Sequence, residues 1–295
     1  MNTEQMTVQI ENGEGFIAAL DQSGGSTPKA LQGYGIGDDA WGSEAEMFEL
    51  IHQMRSRIIT SPCFANGKVL GAILFEKTMN GMVDGKPTPQ ALKDRGIVPF
   101  LKVDKGLEDE DDGVQLMKPI PDLDDQCRHA AGLGMFGTKM RSVINLADPS
   151  GIASIVEQQF AFGRQILGHG LVPIIEPEVN IKSPEREAAD AILLSKLGEA
   201  LDAMDGPERV MLKLSIPVDA NLYAPLIAHP RVLRVVALSG GYSTEEACSE
   251  LAKNQGMIAS FSRGLLQDLR AEMSDEEFDS TLGAAIDQIH SASVA

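Results

Sequence analysis

The chain is poor in cysteine and in aromatic residues, and it has no long apolar run. Of its 295 residues, 3 are cysteines and 5% are aromatic. Cys63, Cys127 and Cys248 form no Cys-x-x-Cys motif and cannot all pair, which indicates free thiols in a reducing compartment. No apolar run reaches the roughly 18 residues that a membrane span needs. These absences argue against a disulfide-stabilised secreted protein and against a membrane protein.

Positive charge is also scarce. The chain has 25 Lys and Arg against 43 Asp and Glu, a net charge of −18. Such an acidic protein is a poor partner for nucleic acid or for an anionic membrane, and a phosphate site would need a local cluster of cations. The first residues, MNTEQMTVQIENG, lack the basic and apolar regions of a signal peptide. We therefore expect a cytoplasmic protein with small-molecule partners.

Eight apolar, strand-like runs alternate along the chain with helical patterns. The runs cover residues 16–21, 69–76, 97–104, 137–144, 171–179, 209–216, 233–240 and 257–264. Helical patterns cover 150–167, 183–204 and 274–292, and the second opens with Ser183 as a cap before Pro184. Strands that alternate with helices indicate a parallel sheet. Eight such units predict an α/β protein, a TIM (β/α)8 barrel in a single domain spanning 1–295.

A doubly wound sheet is the weaker alternative for the fold. It expects a Gly-x-Gly-x-x-Gly turn after the first strand, and residues 21–26, DQSGGS, do not fit that motif. The acidic segment 106–128 has few apolar residues. We interpret it as a loop that leads into a helix, not as a domain boundary.

Charged residues lie near the C-terminal ends of most predicted strands, where the active site of a TIM barrel is built. Residues two apart on a strand share a face. Such pairs are Lys102 and Asp104, Lys139 and Arg141, and Glu176 and Glu178, and single cases are Asp21, Glu76 and Lys213. If these positions face the barrel axis, they converge in one pocket. The alternative is that some of them are salt bridges that hold the barrel closed.

Lys213 and Glu176 both lie within apolar runs, VMLKLSI (210–216) and LVPIIEPEV (171–179). A buried ammonium group without a partner is costly, so such a lysine is either paired or shifted toward its neutral, nucleophilic form. Nearby cations such as Lys139 and Arg141 would favour the neutral form, and a nearby carboxylate would move protons. This combination predicts an imine-forming enzyme that needs no cofactor.

Two glycine-containing segments follow the last two predicted strands. They are Ser239-Gly240-Gly241 and Ser262-Arg263-Gly264. The loops after strands seven and eight are the usual phosphate-binding place in a TIM barrel, and Arg263 would supply a bidentate donor. A simple tight turn is the alternative for the first segment. The 5 histidines show no metal-ligand spacing, so we expect surface or loop histidines and no metal site.

These motifs together resemble a class I fructose-1,6-bisphosphate aldolase in a short bacterial form. The matching motifs, in family order over about residues 15–270, are ALDQSGGS (19–26), LFEKT (74–78), KVDKG (102–106), KMR (139–141), VPIIEPEV (172–179), LKLSIP (212–217), LSGGYSTEEA (238–247) and FSRGLL (261–266). The resemblance implies a lyase of glycolysis and gluconeogenesis. It would cleave fructose 1,6-bisphosphate reversibly into dihydroxyacetone phosphate and glyceraldehyde 3-phosphate, without a metal.

The resemblance also implies a role for each residue of the site. Lys213 would form the iminium with the substrate ketone, and Glu176 would be the acid–base residue. Asp21 would orient that lysine and the substrate hydroxyls. Three cations, Lys139, Arg141 and Lys102, would hold charge around C4 and the C6 phosphate, while Ser239, Gly240 and Arg263 would hold the C1 phosphate. Glu178 and Asp104 would support the site by pairing with the lysines.

Some features depart from the family pattern or stay open. Long relatives end in a tyrosine that assists proton transfer, whereas this chain ends in SASVA, and they have an acidic residue where this chain has Gln22. An aldolase for sedoheptulose 1,7-bisphosphate or fructose 1-phosphate is the alternative enzyme. A sugar-phosphate sensor on the same barrel is a further alternative, but it would be expected to lack Lys213 or Glu176. We expect a homo-oligomer.

Overall fold

The computed structural model describes all residues from 1 to 295. The strands are β1 (Phe16–Leu20), β2 (Val69–Leu74), β3 (Met82–Val83), β4 (Lys86–Pro87), β5 (Val98–Lys102), β6 (Val114–Gln115), β7 (Gly137–Ile144), β8 (Val172–Val179), β9 (Val210–Ser215), β10 (Val232–Leu238) and β11 (Ile258–Ala259). The α-helices are α1 (Thr3–Asn12), α2 (Ser26–Gly33), α3 (Glu44–Thr60), α4 (Glu76–Met79), α5 (Thr88–Asp94), α6 (Leu123–Gly132), α7 (Pro149–Leu167), α8 (Arg186–Asp202), α9 (Ala224–Ile227), α10 (Thr244–Leu251), α11 (Arg263–Leu266) and α12 (Asp275–Ser293).

Eight parallel strands form the barrel in the order β1-β2-β5-β7-β8-β9-β10-β11. The last strand returns to the first, where the main-chain N–H of Ala19 donates to the carbonyl of Phe261 at 3.2 Å. Strand β6 pairs antiparallel with β7, and β3 pairs with β4 in a separate hairpin. The predicted TIM barrel is therefore confirmed. Strand β11 is much shorter than the run predicted for it, and β3, β4 and β6 were not predicted because two-residue strands carry no periodic signal.

Side chains alternate between the barrel interior and the helix layer, as the period of a strand requires. On β8, Ile174 packs in the inner core, whereas Ile175 and Val179 pack in the outer core beneath the helices. Glu176 and Glu178 share the inner face of Ile174 and line a cavity at the end of the strand. One strand thus supplies apolar packing low in the barrel and carboxylates at its carboxyl end.

The lower half of the barrel interior is apolar and closed. The inner core combines strand residues with two residues of α1, Met6 and Ile10. The Asn2 side chain caps this helix by accepting from the N–H of Gln5 at 2.9 Å. The side-chain oxygen of Gln5 accepts in turn from the N–H of Asn2 at 2.9 Å. Fully burying each large apolar side chain contributes about 1.5–3 kcal/mol. The lower layers therefore stabilise a barrel whose upper layer is charged.

The helices agree with the predicted ones, with one correction. Asp148 caps α7, Ser243 forms the capping box of α10, and a capping box at Ser274 opens α12. Helix α8 begins at Arg186, so the prediction that Ser183 caps it is wrong. The Ser183 hydroxyl instead accepts from the N–H of Glu185 within the preceding turn.

The acidic segment 106–128 is a loop that contains β6 and leads into α6, as predicted. The structure contains no helix with the length and apolarity that a bilayer crossing would require.

Candidate active site

A cavity of about 1090 Å³ opens at the carboxyl ends of the barrel strands. It brings together all the charged residues predicted to converge and the two predicted phosphate segments. These residues are Asp21, Glu76, Lys102, Asp104, Lys139, Arg141, Glu176, Glu178, Lys213, Ser239, Gly240 and Arg263. Both interpretations of the charges, as a converging site and as salt bridges, are partly correct. All of these residues line the cavity, and most of the charged ones also pair with one another.

Glu176 lies at the centre of the site, between two lysines. Its Oε1 lies 3.0 Å from the Nζ of Lys213, and its Oε2 lies 2.7 Å from the Nζ of Lys139, a close ion contact without hydrogen-bond alignment. All three side chains are 4–5% exposed. Gln159 of α7 fixes the strand here, because its Oε1 accepts from the N–H of Glu176 at 2.8 Å.

Asp21 follows β1 and contacts Lys139, with 2.9 Å between Oδ2 and Nζ. Burial alone would raise the pKa of Asp21, but Lys139, Lys213 and Lys102 outweigh it and hold the pKa well below its ordinary value. Lys139 is the ion-pair partner of Asp21, and Lys213 also acts on Asp21 through its charge, so the role of Asp21 in orienting Lys213 and the substrate hydroxyls stays a prediction.

Lys139 is held in its charged form by the carboxylates around it. Burial would lower its pKa, but Asp21, Glu176 and Asp104 have the larger combined effect and raise the pKa above its ordinary value. Together with Lys213, it faces the two carboxylates of Asp21 and Glu176. This pairing of opposite charges offsets the desolvation of the buried groups.

Two further ion pairs surround this centre. Lys102 donates to Asp104 at 2.7 Å, and the register of the sheet places Lys102 beside Lys139 on the neighbouring strand. Arg141 pairs through its Nε with Glu178. Burial lowers the pKa of Arg141, but Glu178 outweighs it and raises the pKa. Asp104 supports a lysine as predicted, whereas the prediction that Glu178 pairs with a lysine is corrected by its arginine partner.

The two predicted phosphate segments meet at one edge of the cavity. Gly240 has φ +59°, and a Cβ there would lie 2.7 Å from Ile181, so this turn requires glycine. A Cβ on Gly241 would lie 3.7 Å from an Nη atom of Arg263, which places the guanidinium against the turn. Arg263 is exposed and forms no salt bridge, so its charge is available to an anion.

Sequence reasoning gave no role to the rest of the loop after β1. Gln22, Ser23, Gly24, Gly25, Ser26 and Lys29 also line the cavity. Gly24 has φ +51° and no atom within 4 Å of a Cβ placed on it. The available signal was the Ser23-Gly24-Gly25 segment a few residues after β1, which resembles the Ser239-Gly240-Gly241 segment that was predicted to bind phosphate.

No histidine lines the cavity. The structure contains no group of three or more His, Cys, Asp or Glu residues that could hold a metal ion. The chemistry that these side chains offer is that of a buried amine, a shared carboxylate and positive charges around one cavity.

Comparisons with known proteins agree with this chemistry. A family model described as fructose-bisphosphate aldolase class-I matches residues 3–189. The chain is 57% identical over 295 residues, covering 100% of both chains, to the fructose-bisphosphate aldolase class 1 of Porphyromonas gingivalis.

Solved structures agree on the fold. The fructose-bisphosphate aldolase of Plasmodium falciparum, solved with TRAP and a small-molecule inhibitor, matches with a TM-score of 0.77 at 19% identity, covering 99% of this chain and 94% of that one. A Corynebacterium glutamicum protein matches with a TM-score of 0.54 at 12% identity, covering 98% and 92%. At these identities the structures support the barrel alone.

Proposed function

Because the chain belongs to the class I fructose-bisphosphate aldolase family, we infer that it cleaves fructose 1,6-bisphosphate reversibly into dihydroxyacetone phosphate and glyceraldehyde 3-phosphate. Members of this class work through a lysine Schiff base and need no metal ion. The observation that carries the assignment of roles is the position of Glu176 between Lys213 and Lys139.

Lys213 attacks the C2 ketone of the substrate through its Nζ. Glu176 accepts and returns protons at this nitrogen, from which its Oε1 lies 3.0 Å away, and so assists loss of water from the carbinolamine. The product is an iminium ion, and the former lysine nitrogen now carries the positive charge.

The iminium withdraws the electron pair of the C3–C4 bond. Glu176 takes the proton of the C4 hydroxyl, the C4–O bond becomes a carbonyl, and glyceraldehyde 3-phosphate leaves. Lys139 lies 2.7 Å from the other oxygen of Glu176 and stabilises charge that develops near C4. The remaining enamine takes a proton at C3, and hydrolysis of the imine releases dihydroxyacetone phosphate and regenerates Lys213.

Cations on opposite sides of the cavity hold the two phosphates. Ser239, Gly240 and Arg263 bind the C1 phosphate, since the guanidinium has no carboxylate partner and lies against the glycine turn. Lys102 and Arg141 serve the C6 end. Asp104 and Glu178 already pair with these two cations, so they keep the residues in place when no phosphate is bound.

A cleavage assay on the purified protein tests the assignment. Wild-type protein should release both triose phosphates from fructose 1,6-bisphosphate in the presence of EDTA, and Lys213→Met should abolish the reaction. Lys253→Met is the control, because Lys253 lies on the surface and pairs only with Glu250. Activity that EDTA removes and zinc restores would contradict a class I mechanism.

Three other predictions remain proposals. We propose that residues 1–295 form a single domain, which should unfold in one cooperative transition. We also propose a homo-oligomer, which light scattering would detect, and a cytoplasmic location, which cell fractionation would test. Sugar phosphates are the substrates that the family assignment supports.

A further inference from the structure

Arg55 is a buried cation beneath the active-site cavity. It lies on α3, its relative exposure is 0%, and no role in the reaction has been assigned to it above. All of its hydrogen bonds go to neutral groups, and its Nε is buried without an acceptor. A buried charge without an ion pair is destabilising, and an apolar residue of similar volume would often serve stability better. The position of Arg55 therefore calls for a reason other than stability.

The guanidinium joins two of the loops at the carboxyl end of the barrel. One terminal nitrogen donates to the hydroxyl of Thr78 at 2.7 Å, on α4 after strand β2. The other donates to the main-chain carbonyl of Gln22, and it lies 3.3 Å from the Gln22 side-chain oxygen. Gln22 directly follows Asp21 in the chain. Arg55 thus holds the main chain at the point where Asp21 enters the site.

Gln22 extends this contact to a third loop. Its side-chain amide nitrogen donates to the hydroxyl of Ser262, which precedes Arg263, and to the carbonyl of Ala19 at 3.2 Å. The path from Arg55 through Gln22 to Ser262 therefore connects the loop of Asp21 with the loop of Arg263. Those two loops carry a residue of the catalytic centre and a residue of the C1-phosphate site.

The charge of Arg55 interacts with the carboxylate of Asp21. Burial lowers the pKa of its guanidinium to about 10, and the carboxylate of Asp21 opposes that effect. Asp21 is the charged group that acts on Arg55. The two residues are therefore linked electrostatically as well as through the main chain.

We propose that Arg55 is a positioning residue with two branches. Its bond to the main chain of Gln22 fixes Asp21, and its contact with the side chain of Gln22 fixes Ser262 and thereby the loop of Arg263. The inference rests on the role proposed above for Arg263 and on the ion pair that joins Asp21 to Lys139. It predicts that kcat and KM respond to different branches.

The first branch reaches Asp21, which contacts Lys139, and Lys139 in turn contacts Glu176. Loss of this branch should therefore lower kcat. The second branch reaches Arg263, which binds the C1 phosphate in substrate, so its loss raises KM. Arg55→Met removes both branches. Gln22→Met removes the side-chain branch alone, because the main-chain carbonyl of residue 22 still accepts from Arg55.

The experiment measures kcat and KM for fructose 1,6-bisphosphate together with urea unfolding midpoints. Arg55→Met should lower kcat about 10- to 100-fold, as expected for loss of a hydrogen bond from a charged group, and should also raise KM. Gln22→Met should raise KM about 10-fold while kcat changes by less than about 3-fold, because a neutral hydrogen bond contributes less. Arg55→Lys keeps the charge and one donor nitrogen, so both constants should return toward the wild-type values.

Arg234→Met is the matched control. Arg234 also donates to main-chain carbonyls, of Glu11 at 2.6 Å and of Gly13 at 3.3 Å, and also has a buried Nε without an acceptor. It lies at the opposite end of the barrel, beside α1. Arg234→Met should lower the unfolding midpoint and leave kcat and KM unchanged.

Wild-type values of kcat and KM in Arg55→Met would overturn the proposal, and so would equal losses in Arg55→Met and Arg234→Met. If Arg55→Met does not fold, Gln22→Met tests the proposal instead, because it leaves the buried cation in place. An unchanged KM in Gln22→Met would then overturn the proposal. A wild-type protein without aldolase activity would instead count against the proposed function.

Discussion

Glu176 places one carboxylate oxygen on each of two lysines, with Oε1 3.0 Å from the Nζ of Lys213 and Oε2 2.7 Å from the Nζ of Lys139. The arrangement gives the two amines different surroundings. Lys139 also contacts Asp21 at 2.9 Å, whereas the one ion pair of Lys213 is with Glu176. In the proposed mechanism, the carboxylate of Glu176 moves protons at the nitrogen of Lys213, and the charged Lys139 holds that carboxylate in place.

Replacing Glu176 with Gln should remove proton transfer while keeping the shape of the side chain. Loss of general acid–base catalysis typically costs about 10²- to 10⁴-fold in rate, so kcat should fall within that range and KM should change little. Steady-state kinetics of fructose 1,6-bisphosphate cleavage measure both constants. Glu178→Gln is the control on the same strand face, and it should retain most of kcat because Glu178 contacts Arg141 and neither lysine of the centre. Near-normal turnover in Glu176→Gln would assign the protons to another residue.

Borohydride in the presence of dihydroxyacetone phosphate should trap a covalent adduct on Lys213. The reduced imine inactivates the enzyme irreversibly, and mass mapping of peptides locates the modified lysine. Lys139 serves as the internal control, because its two carboxylate contacts keep it protonated and it should stay unmodified. An adduct on Lys139 or Lys102 would overturn the assignment of the nucleophile.

Much of the fold and the site follows from local sequence signals. The apolar run that contains Glu176 predicts a buried strand, and the spacing of Glu176 and Glu178 predicts that both side chains lie on one face of it. The family resemblance then predicted a role for each of these residues. Pairing was harder to predict, because which carboxylate meets which cation depends on strand tilt and stagger, and Glu178 contacts Arg141 instead of a lysine.

Arg55 shows the other limit of sequence reasoning. It lies in the amphipathic helix α3, where Ile51 and Ile58 at positions i−4 and i+3 put residue 55 on the apolar face, but this periodicity does not say which groups the arginine contacts. Packing shows that Arg55 has no exposed surface, while Arg57 keeps 24% of its side chain exposed and contacts Asp275. Contacts between loops distant in sequence, such as Gln22 with Ser262, are likewise set by barrel closure.

Asp21 should make the stability of the protein sensitive to acid. Its pKa is lowered in the folded state, so its contribution to the free energy of unfolding is fully present above the ordinary pKa, about 3.9, and is lost as the pH falls below that value. Urea midpoints measured from about pH 6 to about pH 3 should therefore fall more steeply for wild type than for Asp21→Asn. Asp39→Asn, at an exposed position without an ion pair, should keep the wild-type slope. Parallel curves for wild type and Asp21→Asn would show that Lys139 does not stabilise the ionised carboxylate.

The last prediction separates the two phosphate ends of the cavity. Arg263→Ala removes a donor from the C1 phosphate, and a hydrogen bond to a charged group contributes about 1.5–3 kcal/mol, so kcat/KM should fall about 10- to 100-fold. The fall should be similar for fructose 1,6-bisphosphate and fructose 1-phosphate, because both carry that phosphate. Arg141→Ala should harm the bisphosphate more, since only this substrate has a C6 phosphate.

The structure adds a further test of the prediction for Arg141→Ala. Arg141 pairs with Glu178, so its removal also leaves an unpaired carboxylate at the C6 end of the cavity, and that charge would repel the second phosphate. Arg141→Ala combined with Glu178→Gln should therefore recover part of the loss on fructose 1,6-bisphosphate and change fructose 1-phosphate cleavage little. Arg164→Ala, on the exposed face of α7, is the control and should leave both substrates unaffected. If Arg263→Ala harms only the bisphosphate reaction, the substrate lies across the barrel in the opposite direction, with its C6 phosphate on the glycine turn.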